Sequence, residues 1–392
     1  MTKTNISLTK ICRTHLSAIL AVTALGFVSI EHATAQVRSA NGVTVLSVDN
    51  SVPQLASVDF VRAKPMSLPL NPLSTDATQS LLSALMTTQK PGAPGHVAGV
   101  EGNGTTNPTF LGTPEFAEDG VAPQDFGTNK HPFSTARADL NGLNTNRAYP
   151  YRAAGKLFFN IGSSTYMCSA SLIKRGIVVT AAHCVANFGR SQFYSNWHFI
   201  PGYRNGNAPF GTHTVRQVWI KTSYFNGTDS CAVAGVVCTN DVAVLTLNPT
   251  TSGAYAGTST GWLGYGWNGY GFVNTLTQIT QIGYPAGLDS AGLMERNDSY
   301  GYTNSSQSNN TMIGSNMDGG SSGGPWVVNF GIKPTLTGET NGSAPSPNVV
   351  VGVTSWGYTS TAPKEQGASA FTSNNIVSLV NSACSAAPAA CL

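Results

Sequence analysis

The sequence predicts an all-β fold of the sandwich or barrel kind, on three observations. Short runs rich in β-branched residues recur from Tyr149 onward, separated by Gly, Asn, Ser or Pro; such spacing marks sandwiches and barrels. Charged residues make up only 10% of the chain, whereas glycine contributes 42 of 392 residues, which suits strands joined by polar turns and disfavours long charged helices. Helical periodicity is scarce. The predicted strands span 156–161, 171–173, 176–180, 215–220, 242–247, 275–282, 325–328 and 349–353. Only the end of the chain reads as helix, with Thr372 or Ser373 capping a turn that runs through Ile376, Leu379 and Val380. The polar stretches 304–311 and 337–348 read as exposed loops.

The N-terminus has the three parts of a secretory signal: Lys3, Lys10 and Arg13, an apolar core over 16–30, and Ala33-Thr34-Ala35 before Gln36. The apolar core is too short for a good membrane span, the rival reading. Residues 1–35 are therefore expected to be a signal peptide. Residues 36–140 contain neither Cys nor Trp and include Lys90-Pro91-Gly92-Ala93-Pro94-Gly95, with one short helix expected over 78–88 after Asp76. They read as a propeptide, against an accessory domain or linker. The net charge is +3, and losing residues 1–35 removes three bases and one acid (Glu31), leaving a nearly neutral chain. Neither a nucleic acid nor a membrane partner is expected, since no basic run is long enough.

Of seven cysteines, Cys12 lies in the signal. The remaining six suit an oxidising compartment and fall into local pairs. Sequential bridging, Cys168 with Cys184, Cys231 with Cys238 and Cys384 with Cys391, is the simplest arrangement. No metal is expected, because no spacing is C-x-x-C and no nearby histidine completes a ligand set.

Three segments carry chemistry. Gly320-Ser321-Ser322-Gly323-Gly324-Pro325 offers a serine flanked by glycines that allow a sharp turn and close approach of a substrate. A serine hydroxyl is a weak nucleophile until a base takes its proton, and the N–H groups of Gly320 and Ser322 could serve the oxyanion. In Thr180-Ala181-Ala182-His183-Cys184 an apolar strand delivers a histidine into a small-residue turn that Cys184 can fasten; a general base must be held within hydrogen-bond reach of its partner. In Asn240-Asp241-Val242-Ala243 an acid opens an apolar strand, where burial is expensive without a partner such as a histidine N–H. Taken singly, each has an ordinary reading: a Gly/Ser loop, a buried structural histidine, a turn-capping aspartate.

Together, in the order His, Asp, Ser, these segments resemble the chymotrypsin-like (trypsin-like) serine peptidase family. Ser355-Trp356-Gly357, after Val351-Gly352-Val353, is similar to that family's strand that pairs with the substrate backbone. Tyr149-Pro150-Tyr151-Arg152 and Ile282-Gly283-Tyr284-Pro285 resemble the bacterial glutamyl-endopeptidase-like branch. The resemblance covers about 149–391. It implies two six-stranded Greek-key β-barrels with a cleft between them and a short C-terminal helix, hence a peptidase domain over 141–392. It also implies His183 as base then acid, Asp241 as its orienting group, Ser322 as nucleophile, and Gly320 and Ser322 as oxyanion donors. Ser355, Trp356, Gly357 and Asn316 are the expected substrate-binding positions. Three departures stand out. Ser321 occupies the position where animal digestive members carry Asp. Thr354 stands where glutamyl-specific relatives carry His. Asn316, six residues before the nucleophile, is uncharged, and Asp318 lies close by.

The sequence thus predicts a secreted, zymogen-made, monomeric serine endopeptidase acting on protein or peptide substrates without a cofactor. Two rivals are a non-catalytic binding protein on a peptidase scaffold and an α/β-hydrolase esterase. The chain order His, Asp, Ser opposes the esterase.

Overall fold

The computed structural model describes residues 36–48, 57–72, 93–113, 131–139, 142–331, 344–358 and 364–392. The expected signal (1–35), the helix over 78–88 and most of the loop 337–348 lie outside the described residues.

Six strands form the first barrel: β1 Ala154–Ile161, β2 Ser164–Lys174, β3 Ile177–Thr180, β4 Ser195–Pro201, β5 His213–Lys221 and β6 Ala243–Leu247. Each pairs antiparallel with its neighbours in the ring β5-β4-β1-β2-β3-β6, which closes between β6 and β5. The first residues of β5 pair with β4 and the later ones with β6, so one side of 217–221 stays open to a further strand. The apolar runs of β3 and β6 explain their burial: Ile177, Val178, Val179, Val244, Leu245 and Leu247 are fully enclosed. The strand over 195–201 was not legible beforehand, because Asn196, Trp197 and His198 break any alternation.

A second, mainly antiparallel sheet carries β7 Leu276–Gly283, β8 Glu295–Asn304, β9 Asn310–Gly314, β10 Pro325–Val328, β11 Val349–Val353, β12 Trp356–Tyr358 and β13 Glu365–Ala368, in the order β12-β13-β9-β8-β7-β10-β11. The stretch 304–311, expected to be a loop, is a short connection whose ends lie in β8 and β9. Asn310 is wholly buried: its side chain donates to the Cys238 carbonyl (3.0 Å) and accepts from Trp356 Nε1 (2.8 Å). Polar β8 hides its strand character in the same way, since Asn297 bonds the Gly314 carbonyl (2.9 Å) instead of packing as a hydrophobe. At the C-terminus Thr372, not Ser373, is the cap, exchanging side-chain hydrogen bonds with Asn375 ahead of the helix Ser378–Ala386. Among the described residues no helix is long and apolar enough to cross a membrane.

Upstream segments are built into this body. Val43–Ser47 extends the first sheet beside β5, and Phe133–Arg137 pairs antiparallel with β8. His131, just before the latter strand, is fully buried, with Nδ1 on Glu365 Oε1 (2.5 Å) and Nε2 on the Tyr300 carbonyl (2.7 Å). His131→Ala leaves buried Glu365 with the Tyr302 hydroxyl (3.2 Å) in place of two partners and is expected to cost about 3 kcal/mol; chemical denaturation with an unchanged midpoint would contradict this.

Glu295 opens β8, fully buried. Burial first, then the hydrogen bond and charge of Asp289, push its carboxyl up to about 9, against the pull of Arg137. Arg137 itself bonds the Asp289 carboxylate. The unfolded chain ionises Glu295 near the ordinary carboxylate range, so between there and about pH 9 the unfolded state binds fewer protons and stability falls as pH rises. One proton is worth at most about 1.4 kcal/mol per pH unit. Glu295→Gln is expected to flatten this slope and to raise the melting temperature at pH 8 more than at pH 5; equal changes at both would refute the assignment.

Candidate active site

The three predicted residues sit on rigid supports. β3 ends at Thr180, and a single tight turn, Ala182–Cys184, follows at once. The Cys168–Cys184 disulfide ties this turn to β2. Cys231–Cys238 and Cys384–Cys391 are also bridged, so all six cysteines pair sequentially.

Asp241 lies just ahead of β6, and its carboxylate is fully engaged. Oδ1 accepts the His183 backbone N–H (2.9 Å), and Oδ2 pairs with His183 Nδ1 (2.8 Å) and accepts the Ser355 hydroxyl. Its own N–H donates to Ser369 Oγ (3.0 Å), which in turn donates to the Cys238 carbonyl (2.8 Å). Burial pushes Asp241 upward, but the charge of His183 and the hydrogen bonds from His183 and Ser355 outweigh it and hold the acid below its usual range. Ser369 is a supporting residue that the sequence did not disclose; an isolated Ser in Ala368-Ser369-Ala370 carries no signal.

The loop bearing Ser322 docks on the first barrel. Ser169 N–H donates to the Ser322 carbonyl (2.8 Å), and Ser169 Oγ donates to that of Gly320 (2.8 Å). Gly323, at φ +78°, has no room for a side chain: a Cβ would stand 1.9 Å from Thr180 Oγ1 and 2.4 Å from the Ser169 carbonyl. Gly320 takes φ +91°, a conformation that favours glycine. Ser322 Oγ and His183 Nε2 are both buried without a hydrogen-bond partner. Buried polar atoms are seldom left unpaired.

The departures have structural counterparts. Ser321 turns its hydroxyl onto the Asp318 carbonyl (2.5 Å), bracing the loop internally where a salt bridge would otherwise act. The Asp318 carboxylate accepts the Gly287 N–H (3.0 Å) at an exposed edge. Thr354 is fully buried, its hydroxyl accepting from Gln281 Nε2 (2.8 Å) and Trp326 Nε1 (2.9 Å). Gln281 also receives the Ser315 hydroxyl (2.8 Å) and donates to Gln366 (2.5 Å), making a wholly uncharged network. Only Thr354 of these five was singled out from sequence. Both amide atoms of Asn316 are buried and without a partner. Of the expected substrate-binding residues, Ser355 directs its side chain to Asp241 instead, and Trp356 directs its own to Asn310. The main chain of β12 pairs on one side with β13 and on the other with Leu70–Asn71, the Gly357 N–H donating to the Pro69 carbonyl (2.9 Å).

The sequence profile of the family described as Trypsin matches residues 143–377, more than half of the chain. The chain belongs to the trypsin family. A curated relative, glutamyl endopeptidase of Bacillus licheniformis, is 23% identical over 186 residues, covering 46% of this chain and 52% of that protein. The chain thus aligns with about half the length of that relative. Among solved structures, the trypsin-family chain is similar to the protease Anisep of Arthrobacter nicotinovorans, at 26% identity and a TM-score of 0.48, covering 60% of this chain and 96% of that one. It is also similar to the thermostable serine protease AL20 of an extremophilic microorganism, at 23% identity and a TM-score of 0.48, covering 59% and 96%.

Proposed function

We propose that the protein is a secreted serine endopeptidase that hydrolyses peptide bonds through an acyl-enzyme. The observation that carries this reading is the fixed His183–Asp241 pair, with His183 Nε2 and Ser322 Oγ both buried and unpaired. In this reading Asp241 holds the imidazole with its Nδ1–H toward the carboxylate, leaving Nε2 to take the Ser322 proton as Oγ attacks the scissile carbonyl. The oxyanion meets the N–H groups of Gly320 and Ser322. His183 then returns the proton to the leaving amine, and water repeats the sequence on the ester. The N-terminal half of the substrate, held until then as the acyl group, leaves as a carboxylic acid, and no cofactor takes part.

Residues 1–35 act as the export signal and the leader after them is removed on maturation. The burial of His131 and the pairing of Phe133–Arg137 favour a boundary ahead of His131 over one near 140. Protein recovered from the culture medium, exposed at length to a fluorophosphonate, should carry one adduct, on Ser322. Peptide mapping of the same sample should find its N-terminus ahead of residue 131. An unmodified Ser322 in leader-free protein would favour the binding-scaffold reading.

The uncharged surroundings of Thr354 and Asn316 favour uncharged side chains at the residue before the cut. A buried site without a cation discriminates against a carboxylate. With matched peptide amides, kcat/KM is expected to be at least about tenfold lower for Glu than for a neutral polar residue; a preference for Glu would overturn this.

A further inference from the structure

We propose that residues 64–71 form an autoinhibitory strap that occupies the cleft and competes there with substrate, an inference that rests on the peptidase reading. The strap is anchored on both sheets. On the first barrel, the Asp59 N–H donates to Thr165 Oγ1 (2.9 Å) and Phe60 stands edge-on to Phe158. Lys64–Pro65 then pairs parallel with Tyr166–Met167 of β2, and the Met66 N–H donates to the Met167 carbonyl (2.8 Å). On the second sheet, the Gly357 N–H of β12 donates to the Pro69 carbonyl (2.9 Å). Leu70–Asn71 pairs parallel with Gly357–Tyr358, and the Asn71 side chain donates to Gln307 in the interior.

Between these anchors the strap meets the catalytic loop. The Met66 carbonyl accepts the Gly320 N–H at 3.0 Å. That donor is one of the two assigned to the oxyanion, and losing one such donor lowers turnover by about 10²–10³. The Gly357 N–H, on the edge assigned to the substrate backbone, is taken as well. Leu68 is buried over the same glycine, with its Cδ2 2.9 Å from where a Gly357 Cβ would be. Ser322, two residues after Gly320, is 0% exposed. The strap uses main-chain groups, as an extended peptide does when it adds to a sheet edge. Because it is part of the same chain, it competes at an effective concentration on the order of millimolar.

Two full-chain variants test this from opposite anchors. Leu68→Asp places a carboxylate against β12, and Met66→Pro deletes the N–H held by the Met167 carbonyl. Neither residue belongs to a barrel strand. With intact mass confirming that the leader is still attached, fluorophosphonate labelling of Ser322 is expected to be at least about tenfold faster in each variant than in wild type. Wild-type full chain labelling as fast as both variants would overturn the strap and leave the nucleophile assignment standing. No labelling in either variant would also overturn it, and hydrogen exchange at the Gly320 and Gly357 amides separates the causes. Newly exposed amides beside an unreactive serine condemn the peptidase reading, whereas amides that stay protected condemn only the anchors assigned to the strap.

Discussion

Ser322→Ala in the leader-free enzyme is expected to lower kcat on a peptide amide by about 10⁴–10⁶ while leaving KM nearly unchanged. The hydroxyl is the only group in this reading that bonds to the substrate carbon, so its loss removes the acyl-enzyme path entirely. Substrate binding depends instead on the β12 edge and the Thr354–Gln281 network, which the change does not touch. His183→Ala should fall in the same range, because a serine without its base is as inert as no serine. The double variant should then be scarcely worse than either single one, since residues acting as a unit are not additive. Measured kcat within tenfold of wild type for Ser322→Ala would place the nucleophile elsewhere. Additive losses in the double variant would mean that the two residues do not act on one proton.

Most of the first barrel was legible in the sequence, and the reason is hydrophobic. β3 and β6 consist almost entirely of enclosed aliphatic side chains, and their turns carry Gly or Lys-Arg. The second sheet was half legible, because several of its strands bury polar groups through hydrogen bonds. Glu295, Asn297, Ser299 and Asn310 all lie inside, yet each reads as a surface or loop residue by composition. The site divides the same way. His183, Asp241 and Ser322 were marked by their flanking residues: small turns, an apolar strand, glycines. Ser369, Gln281 and Gln366 act through distant contacts, with 128 residues separating Ser369 from Asp241, and no local pattern announces them. The strap was hidden for another reason. Its contacts are made by main-chain groups of a Pro-rich leader, and main-chain hydrogen bonding leaves little trace in side-chain identity.

Asp241→Asn is expected to cost about 10⁴ in kcat with little change in fold or KM, and the hydrogen bonds around the carboxylate explain why. Oδ1 must continue to accept the His183 backbone N–H, which donates to it at 2.9 Å, so the carboxamide oxygen is fixed on that side. Its NH₂ group then replaces Oδ2, facing His183 Nδ1 and the Ser355 hydroxyl. Serine can answer by rotating its hydroxyl and accepting. The imidazole can answer only by becoming an acceptor at Nδ1, which moves its proton to Nε2. A protonated Nε2 presents a donor to Ser322 and can no longer take its proton. The variant therefore keeps its geometry and loses its base. The predicted signature is a large fall in kcat alongside an unchanged thermal midpoint near neutral pH. At low pH the comparison shifts. Wild type draws stability from an acid held below its usual range, and that contribution disappears as pH falls through the native value. Over that acid range wild type should lose stability relative to the variant, since the carboxamide does not titrate. A kcat within a factor of ten of wild type would show that Asp241 does not set the tautomer of His183.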